Sequence, residues 1–250
     1  MIILWFPFFT TLFWPVICTC PPEEDIAPHC ICKDLGDGPM MLCNNVMSTD
    51  ELFPLIKSTD SYDMFALTLM NSALSYIPSD LFKGTQYQKI RFVNTQIMSL
   101  SDDDLAFVGL EDRLEELRAT DAHYVTQWDW SQLRNHRRLD LIDINLISMH
   151  SLDQEFPALK SLTALGLIKA EISFIHPTAF SKLENLQILD MRDNLITELL
   201  QFKGNEFLCD CRLKWLVKVG KPFYFQGSCS LPENLNGMSL KDISEKMLRC

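Results

Sequence analysis

Residues 65–105 read FALTLMNSALSYIPSDLFKGTQYQKIRFVNTQIMSLSDDDL, and the same spacing of apolar residues occurs in them twice: Leu67, Leu69, Leu74, Ile77, Phe82, then Ile90, Phe92, Ile97, Leu100, Leu105. The spacing returns with Leu117, Ala119, Tyr124; with Leu139, Leu141, Leu146, Met149, Phe156; with Leu165, Leu167, Ile172, Ile175, Phe180; and with Leu189, Met191, Ile196, Leu199. These are six turns, whose first residues step by 23, 27, 22, 26 and 24 positions. Two apolar residues flanking one outward residue make a short strand whose inward side chains a single turn cannot cover. Neighbouring turns must bury them, so the strands align into a parallel sheet and the later Ile, Leu and Phe of each turn fill the opposite wall.

A period of this length with this pattern is that of a leucine-rich repeat. The expected architecture is a leucine-rich repeat solenoid of the α/β type, with a curved parallel β-sheet on its concave face and an irregular convex side. Stack ends expose core, so terminal units must be atypical. The chain has nine cysteines, and eight of them form two quartets: Cys20, Cys30, Cys32, Cys43 and Cys209, Cys211, Cys229, Cys250. The ninth, Cys18, falls in an apolar, uncharged leader that runs from Met1 to Ile17, with Val16 and Cys18 at the small positions before a cleavage point at Thr19. The expected organisation is a signal peptide (1–18), an N-terminal cysteine-rich cap (19–64), about six repeats (65–203) and a C-terminal cysteine-rich cap (204–250). In an exported chain the quartets read as four disulfides, with three connectivities open for each quartet. Zinc held by the CxC pairs is the weaker alternative, and a retained leader acting as an anchor is the alternative to cleavage. No later stretch reaches the ~20 apolar residues of a membrane span, so the cleaved product is expected to be soluble.

Charge and motifs narrow the function. The net charge of −11 opposes binding to a phosphate backbone, and no glycine-rich phosphate loop is present, so nucleic acid and nucleotide cofactors are not expected. His29, His123, His136, His150 and His176 fall in separate turns and complete no HExxH or nucleophile motif, which points away from an enzyme. Asp102, Asp103 and Asp104 lack calcium-loop geometry and read as a solvated turn. No metal or cofactor is expected.

The C-terminal stretch Gly204-Asn205-Glu206-Phe207-Leu208-Cys209-Asp210-Cys211-Arg212-Leu213-Lys214-Trp215-Leu216 resembles the NPxxCxCxxxWL opening of the C-terminal flank of secreted leucine-rich repeat proteins, with Glu206 in place of the proline. The resemblance covers the whole mature chain and implies the pairs Cys209 with Cys229, Cys211 with Cys250, Cys20 with Cys32 and Cys30 with Cys43. The chain departs from that family where each turn has an asparagine that bonds the backbone of the next. Only Asn194 keeps it, the others being Ser72, Thr95, Ala122, Ile144 and Ala170. Hydroxyls replace part of such a ladder and aliphatic residues do not, which predicts irregularity in turns three to five, where Trp128 and Trp130 refill a core reduced by Ala119 and Ala122. In its layout, acidity and degenerate turns the chain is also similar to arthropod proteins named after the non-catalytic subunit of Oplophorus-luciferin 2-monooxygenase.

Function in a solenoid usually resides on the concave face. The residues between the inward pairs are Thr68, Arg91, Arg118, Asp140, Gly166 and Asp190; the next outward column is Met70, Val93, Thr120, Ile142, Ile168 and Arg192; and the column beyond it includes Asp143. Apolar residues bordered by charges are the pattern of a protein-binding patch. Met70, Val93, Ile142 and Ile168 are the expected anchors, and Arg91, Arg118, Asp140, Asp143, Asp190 and Arg192 are expected to set orientation. Arg134, His136, Arg137 and Arg138 form a basic cluster that reads first as solvated, with a sulfated glycan or an acidic partner as the alternative use. The sequence thus predicts a secreted, non-enzymatic module that binds an extracellular protein. The alternatives are an accessory subunit of a secreted oxidoreductase and a self-associating matrix component.

Overall fold

The structure, a computed structural model, describes residues 20–121, 129–176, 178–195, 201–214, 217 and 226–249, with the side chains of 201–208, 212, 226 and 227 left aside. The leader, Ala122, His123, Trp128 and Cys250 lie outside the described residues. Strands β1 (Cys30–Asp34), β2 (Pro39–Asn44), β3 (Ala66–Met70), β4 (Ala73–Tyr76), β5 (Lys89–Val93), β6 (Gln96–Ser99), β7 (Glu116–Thr120), β8 (Leu141–Asn145), β9 (Ser151–Leu152), β10 (Ala164–Ile168), β11 (Phe174–Ile175), β12 (Ile188–Asp190), β13 (Gln201–Leu208) and β14 (Gln226–Leu231) follow in chain order. An eight-stranded sheet runs β1-β2-β3-β5-β7-β8-β10-β12. The β1–β2 hairpin is antiparallel and every later pair is parallel, so each of the six repeat strands is followed by one return across the opposite wall. The chain is a leucine-rich repeat solenoid, built for the reason the periodicity gave.

The ladder aligns Leu67, Ile90, Leu117, Ile142, Leu165 and Leu189 as the first inward residues, and Leu69, Phe92, Ala119, Ile144 and Leu167 as the second. This corrects the expected register of the fourth turn. Its inward pair is Ile142 and Ile144, both fully buried, and not Leu139 and Leu141. The stretch Leu139-Asp140-Leu141-Ile142-Asp143-Ile144 carries two alternations in opposite phase. Leu139 belongs to a separate buried row three residues ahead of each first inward residue, with Tyr87, Leu114 and Leu162. A three-residue slip exchanges the two faces of a strand. Ile142 is therefore core and cannot anchor a partner, and Asp143 takes the place on the outward face that had been given to Asp140, which precedes the strand.

Between Lys57 and Cys211 the described residues contain no α-helix: the returns use turns, the short pairs β4–β6 and β9–β11, and a 3-10 turn at Trp130–Leu133. Rings fill this wall. Phe82 packs on Phe107, and Trp130 lies 4.4 Å from Phe156, which stacks on Phe180. Trp130 is buried, as the volume-refilling reading requires.

Each repeat strand is followed by a left-handed residue, Asn71, Asn94, Asp121, Leu146, Lys169 or, three residues beyond β12, Asp193, that turns the chain off the sheet. The next residue carries the substituted ladder. Ser72 Oγ accepts from Val46 N at 3.0 Å and donates to Met70 O, and Thr95 Oγ1 lies 3.0 Å from both Leu69 O and Val93 O. Asn194 does more: its Oδ1 accepts from Ala170 N and Ile172 N, and its Nδ2 donates to Leu167 O and Met191 O. With the corrected register the fourth turn places Ile147, which has no polar atom to give.

At the N-terminal end, α1 (Glu23–Ile26) and α2 (Thr49–Lys57) flank the β1–β2 hairpin, and α2 starts on Ser48, whose hydroxyl accepts from Glu51 N. Disulfides Cys20–Cys32 and Cys30–Cys43 tie this end, and Cys209–Cys229 ties the other. Cys211 is also disulfide-bonded. Among the described residues no helix is long and apolar enough to cross a membrane.

Candidate functional site: the outward face of the sheet

Because strand side chains alternate, the residue before each inward pair shares the outward face with the residue between and the residue after. In strand order from β5 to β12 the face reads Lys89, Arg91, Val93; Glu116, Arg118, Thr120; Leu141, Asp143, Asn145; Ala164, Gly166, Ile168; and Ile188, Asp190, with Arg192 following. The sequence reading placed Met70, Arg91, Val93, Arg118, Asp143, Ile168, Asp190 and Arg192 on or beside this face, and the structure puts them there. Val93 is 37% exposed, and Met70 and Ile168 are half-buried. Asp140 lies at the strand-start edge and accepts the Thr163 hydroxyl.

Reading from the inward pairs overlooked the preceding column, and with it the electrostatic centre of the face. The Glu116 side chain is only 10% exposed. Arg91 Nε donates to its Oε1 at 2.8 Å, Arg118 Nε lies 2.9 Å from the same oxygen, and Lys89 Nζ is 3.4 Å from Oε2. Burial opposes ionisation of Glu116, but the hydrogen bond from Arg91 and the charges of Arg91, Arg118 and Lys89 outweigh it and hold the carboxyl below its ordinary range. Lys89 also lies over the Phe65 ring, and Arg118 Nη1 reaches Asp143 Oδ2 at 3.4 Å. Beyond Asp143 the face is nearly bare. A Cβ on Gly166 would fall 2.9 Å from Asp143 Oδ1, so the absence of a side chain there lets the carboxylate lie across β10. At the end of the sheet Arg192 Nε bonds both oxygens of Asp190 at 2.9 Å.

The basic cluster is dispersed. Arg134 pairs with Asp104, Arg137 with Asp112 and Arg138 with Glu115, each acid lying on the preceding turn. Likewise Lys182 pairs with Glu155 of the preceding turn, and Arg113 reaches Asp63 two turns back. His136 is buried with Nε2 2.9 Å from Ala106 O, and burial pushes it below the ordinary histidine range. It is a core residue, not part of a basic surface. The other described histidines include His150, beside Glu171, and His176, which bonds the Thr178 hydroxyl. Asp102 accepts from Ser79 N and Asp104 holds Arg134, so the acidic run is built into the stack. A groove of about 580 Å³ follows the strand starts, lined by polar residues that include Glu115, Arg138, Asp140, Lys160, Thr163 and Asn185.

No family model matches the chain. It is 27% identical over 220 residues, 85% of its length, to the Oplophorus-luciferin 2-monooxygenase non-catalytic subunit of Oplophorus gracilirostris, of which it spans 56%. Among solved structures it is similar to the leucine-rich repeat domain of the type III effector XopL (17% identity, 60% of this chain and 51% of that one, TM-score 0.36) and to the human trophoblast glycoprotein 5T4 (15%, 94% and 100%, TM-score 0.36). It also matches the structure titled as the TLR13–ssRNA13 complex (19%, 71% and 30%, TM-score 0.35). The strand register makes the chain a leucine-rich repeat solenoid with disulfide-bonded ends, and in sequence it is similar to the non-catalytic subunit of a luciferin monooxygenase.

Proposed function

We propose that this chain is a secreted, non-enzymatic module that binds an extracellular protein through the outward face of its sheet, with residues 19–64 and 204–250 serving as caps. The observation that carries this is the arrangement of the face. Apolar side chains at Met70, Val93 and Ile168 are exposed or half-buried around a fixed charge cluster. The sheet backbone beneath is fully used in the ladder, so recognition falls to side chains. Arg91, Arg118, Asp143, Asp190 and Arg192 set orientation, and no cofactor takes part. The disulfides fit an oxidising compartment.

Affinity capture from extracellular extract with the tagged protein tests this reading beside a Val93→Glu, Ile168→Glu variant. One partner, lost with the variant while secretion is unchanged, is the expected result; equal recovery by both proteins overturns it. A start at Thr19 in the secreted form is the expected N-terminus. The sequence likeness to a non-catalytic subunit favours a more specific reading, in which the partner is the catalytic chain of a secreted oxidoreductase and this protein stabilises it without turnover of its own. Recovery of the chain's own copies alone supports the self-associating matrix reading instead.

A further inference from the structure

The charge cluster at the centre of the face has more cations than its own acids occupy. Glu116 is sunk into the sheet with its side chain 10% exposed, while the side chains of Lys89, Arg91 and Arg118 stand 24%, 32% and 40% exposed above it. Arg91 donates its Nε–H to Glu116 Oε1, and Arg118 Nε lies 2.9 Å from the same oxygen as an ion pair without a hydrogen bond. Of the outer nitrogens, Arg118 Nη1 makes one long bond to Asp143, and those of Arg91 have no hydrogen-bond partner among the described residues. Glu116 thus holds two planar forks side by side, that of Arg91 through a hydrogen bond and that of Arg118 through charge, and leaves outer donors unspent. A guanidinium offers five donors in a rigid plane matched to a carboxylate, and holding it in place beforehand removes much of the entropy cost of using it.

We infer that Arg91 and Arg118, positioned by Glu116, form a clamp for one acidic side chain of the protein partner, seated between apolar contacts at Val93 on one side and Leu141 on the other. This rests on the reading of the face given above and names the chemistry it selects. An isolated cationic spot bordered by Val93, Thr120 and Leu141 fits a single Glu or Asp within an apolar segment. A sulfated glycan carries repeated anions and needs a row of cations, whereas this face offers a bare strand beyond Asp143 and the whole protein carries a net charge of −11.

The test is selection of a phage-displayed random dodecapeptide library on the full mature protein, followed by affinity measurements on synthetic peptides. The expected winners share one Glu or Asp flanked by apolar residues, and replacing it by Gln or Asn weakens binding by about 10- to 100-fold, the range for charge-assisted hydrogen bonds. Arg91→Gln with Arg118→Gln loses the same factor and no longer distinguishes Glu from Gln. Arg91→Lys with Arg118→Lys keeps the charge and the fold but loses the fork, and falls well short of the native affinity. Glu116→Gln makes the patch more positive. Weaker binding by that variant supports positioning, whereas tighter binding overturns it. Winners without an acidic residue, or no winners, overturn the clamp. If acid-free winners are still lost on Val93→Glu, the face survives as a binding surface; if they are not, the broader reading falls too. Retention on a heparin column that disappears with the arginine variants assigns the cations to a glycan and also overturns the proposal.

Discussion

Both ends of the stack are disulfide-bonded, yet they are closed in different ways. At the N-terminal end Cys30 and Cys43 are buried within the same apolar cluster as Leu67, Phe92 and Leu167, and the β1–β2 hairpin continues the main sheet. At the C-terminal end Cys209 and Cys229 belong to a second cluster with Leu235, Leu240, Ile243 and Leu248. The last repeat, between them, is the least covered: Leu189 and Met191 are half-buried and Ile188 is 60% exposed, whereas Leu165 and Leu167 are fully enclosed. Among the described residues the two clusters share no member, which predicts that one end unfolds with the repeats and the other through its own small core. In a stack where each turn touches only its neighbours, such a boundary divides the cooperative unit.

The largest effects should come from the shared core. Phe156→Ala removes the ring held between Trp130 and Phe180 and should cost about 3–5 kcal/mol in chemical denaturation, the range for emptying such a site. Leu189→Ala, at the half-covered end, should cost about 1 kcal/mol; equal losses at the two positions would erase the contrast between them. Next come the bridges. Cys30→Ala with Cys43→Ala should lower the main unfolding transition by about 2–5 kcal/mol, while Cys209→Ala with Cys229→Ala should melt the C-terminal cluster and leave the main midpoint in place. A single transition shifted by both pairs would show one cooperative unit. Asn194→Ala, which strips four backbone bonds near the boundary, should cost about 1–3 kcal/mol, more than Thr95→Val in the well-covered second turn.

The smallest effect is one of pH. Because the folded state holds His136 below the ordinary value of ~6.5, the unfolded chain binds the proton more readily. Stability is fully present above that value and falls as the pH drops below it towards the depressed folded value. His136→Phe should flatten the dependence of the main midpoint between about pH 7 and pH 5, and should leave the C-terminal cluster unaffected.

Much of this was legible in the sequence because burial dictates it. The stacked strands followed from the recurring inward pairs, and hydroxyls do replace asparagine at Ser72 and Thr95. Three of the implied disulfides are present as expected, and Cys211 is bonded too. The fourth turn was misread because Leu139, Leu141, Ile142 and Ile144 supply both phases of an alternation, and only pairing with Leu117 and Leu165 selects one. Glu116 and Lys89 were missed for a different reason. A charged residue ahead of an inward pair reads as solvated until cross-strand neighbours show what it touches. The same holds for Arg134, Arg137 and Arg138, adjacent in sequence but each committed to a different acid on the turn before.

Those pairings have a direction. Along the strand-start flank and the returns, Asp104 is met by Arg134, Asp112 by Arg137, Glu115 by Arg138 and Glu155 by Lys182 one turn later, and Asp63 by Arg113 two turns later, so in these pairs the acid precedes the base, whereas on the outward face Lys89 and Arg91 precede Glu116 and Arg118 precedes Asp143. For a polypeptide synthesised from its amino end, completed coils display acids along that flank, and a later coil arrives carrying their counter-charge. Assembly in the order of translation meets attraction along these pairs. A coil skipped or duplicated places unmatched acids beside one another, and this penalises misassembly before the apolar interior has closed.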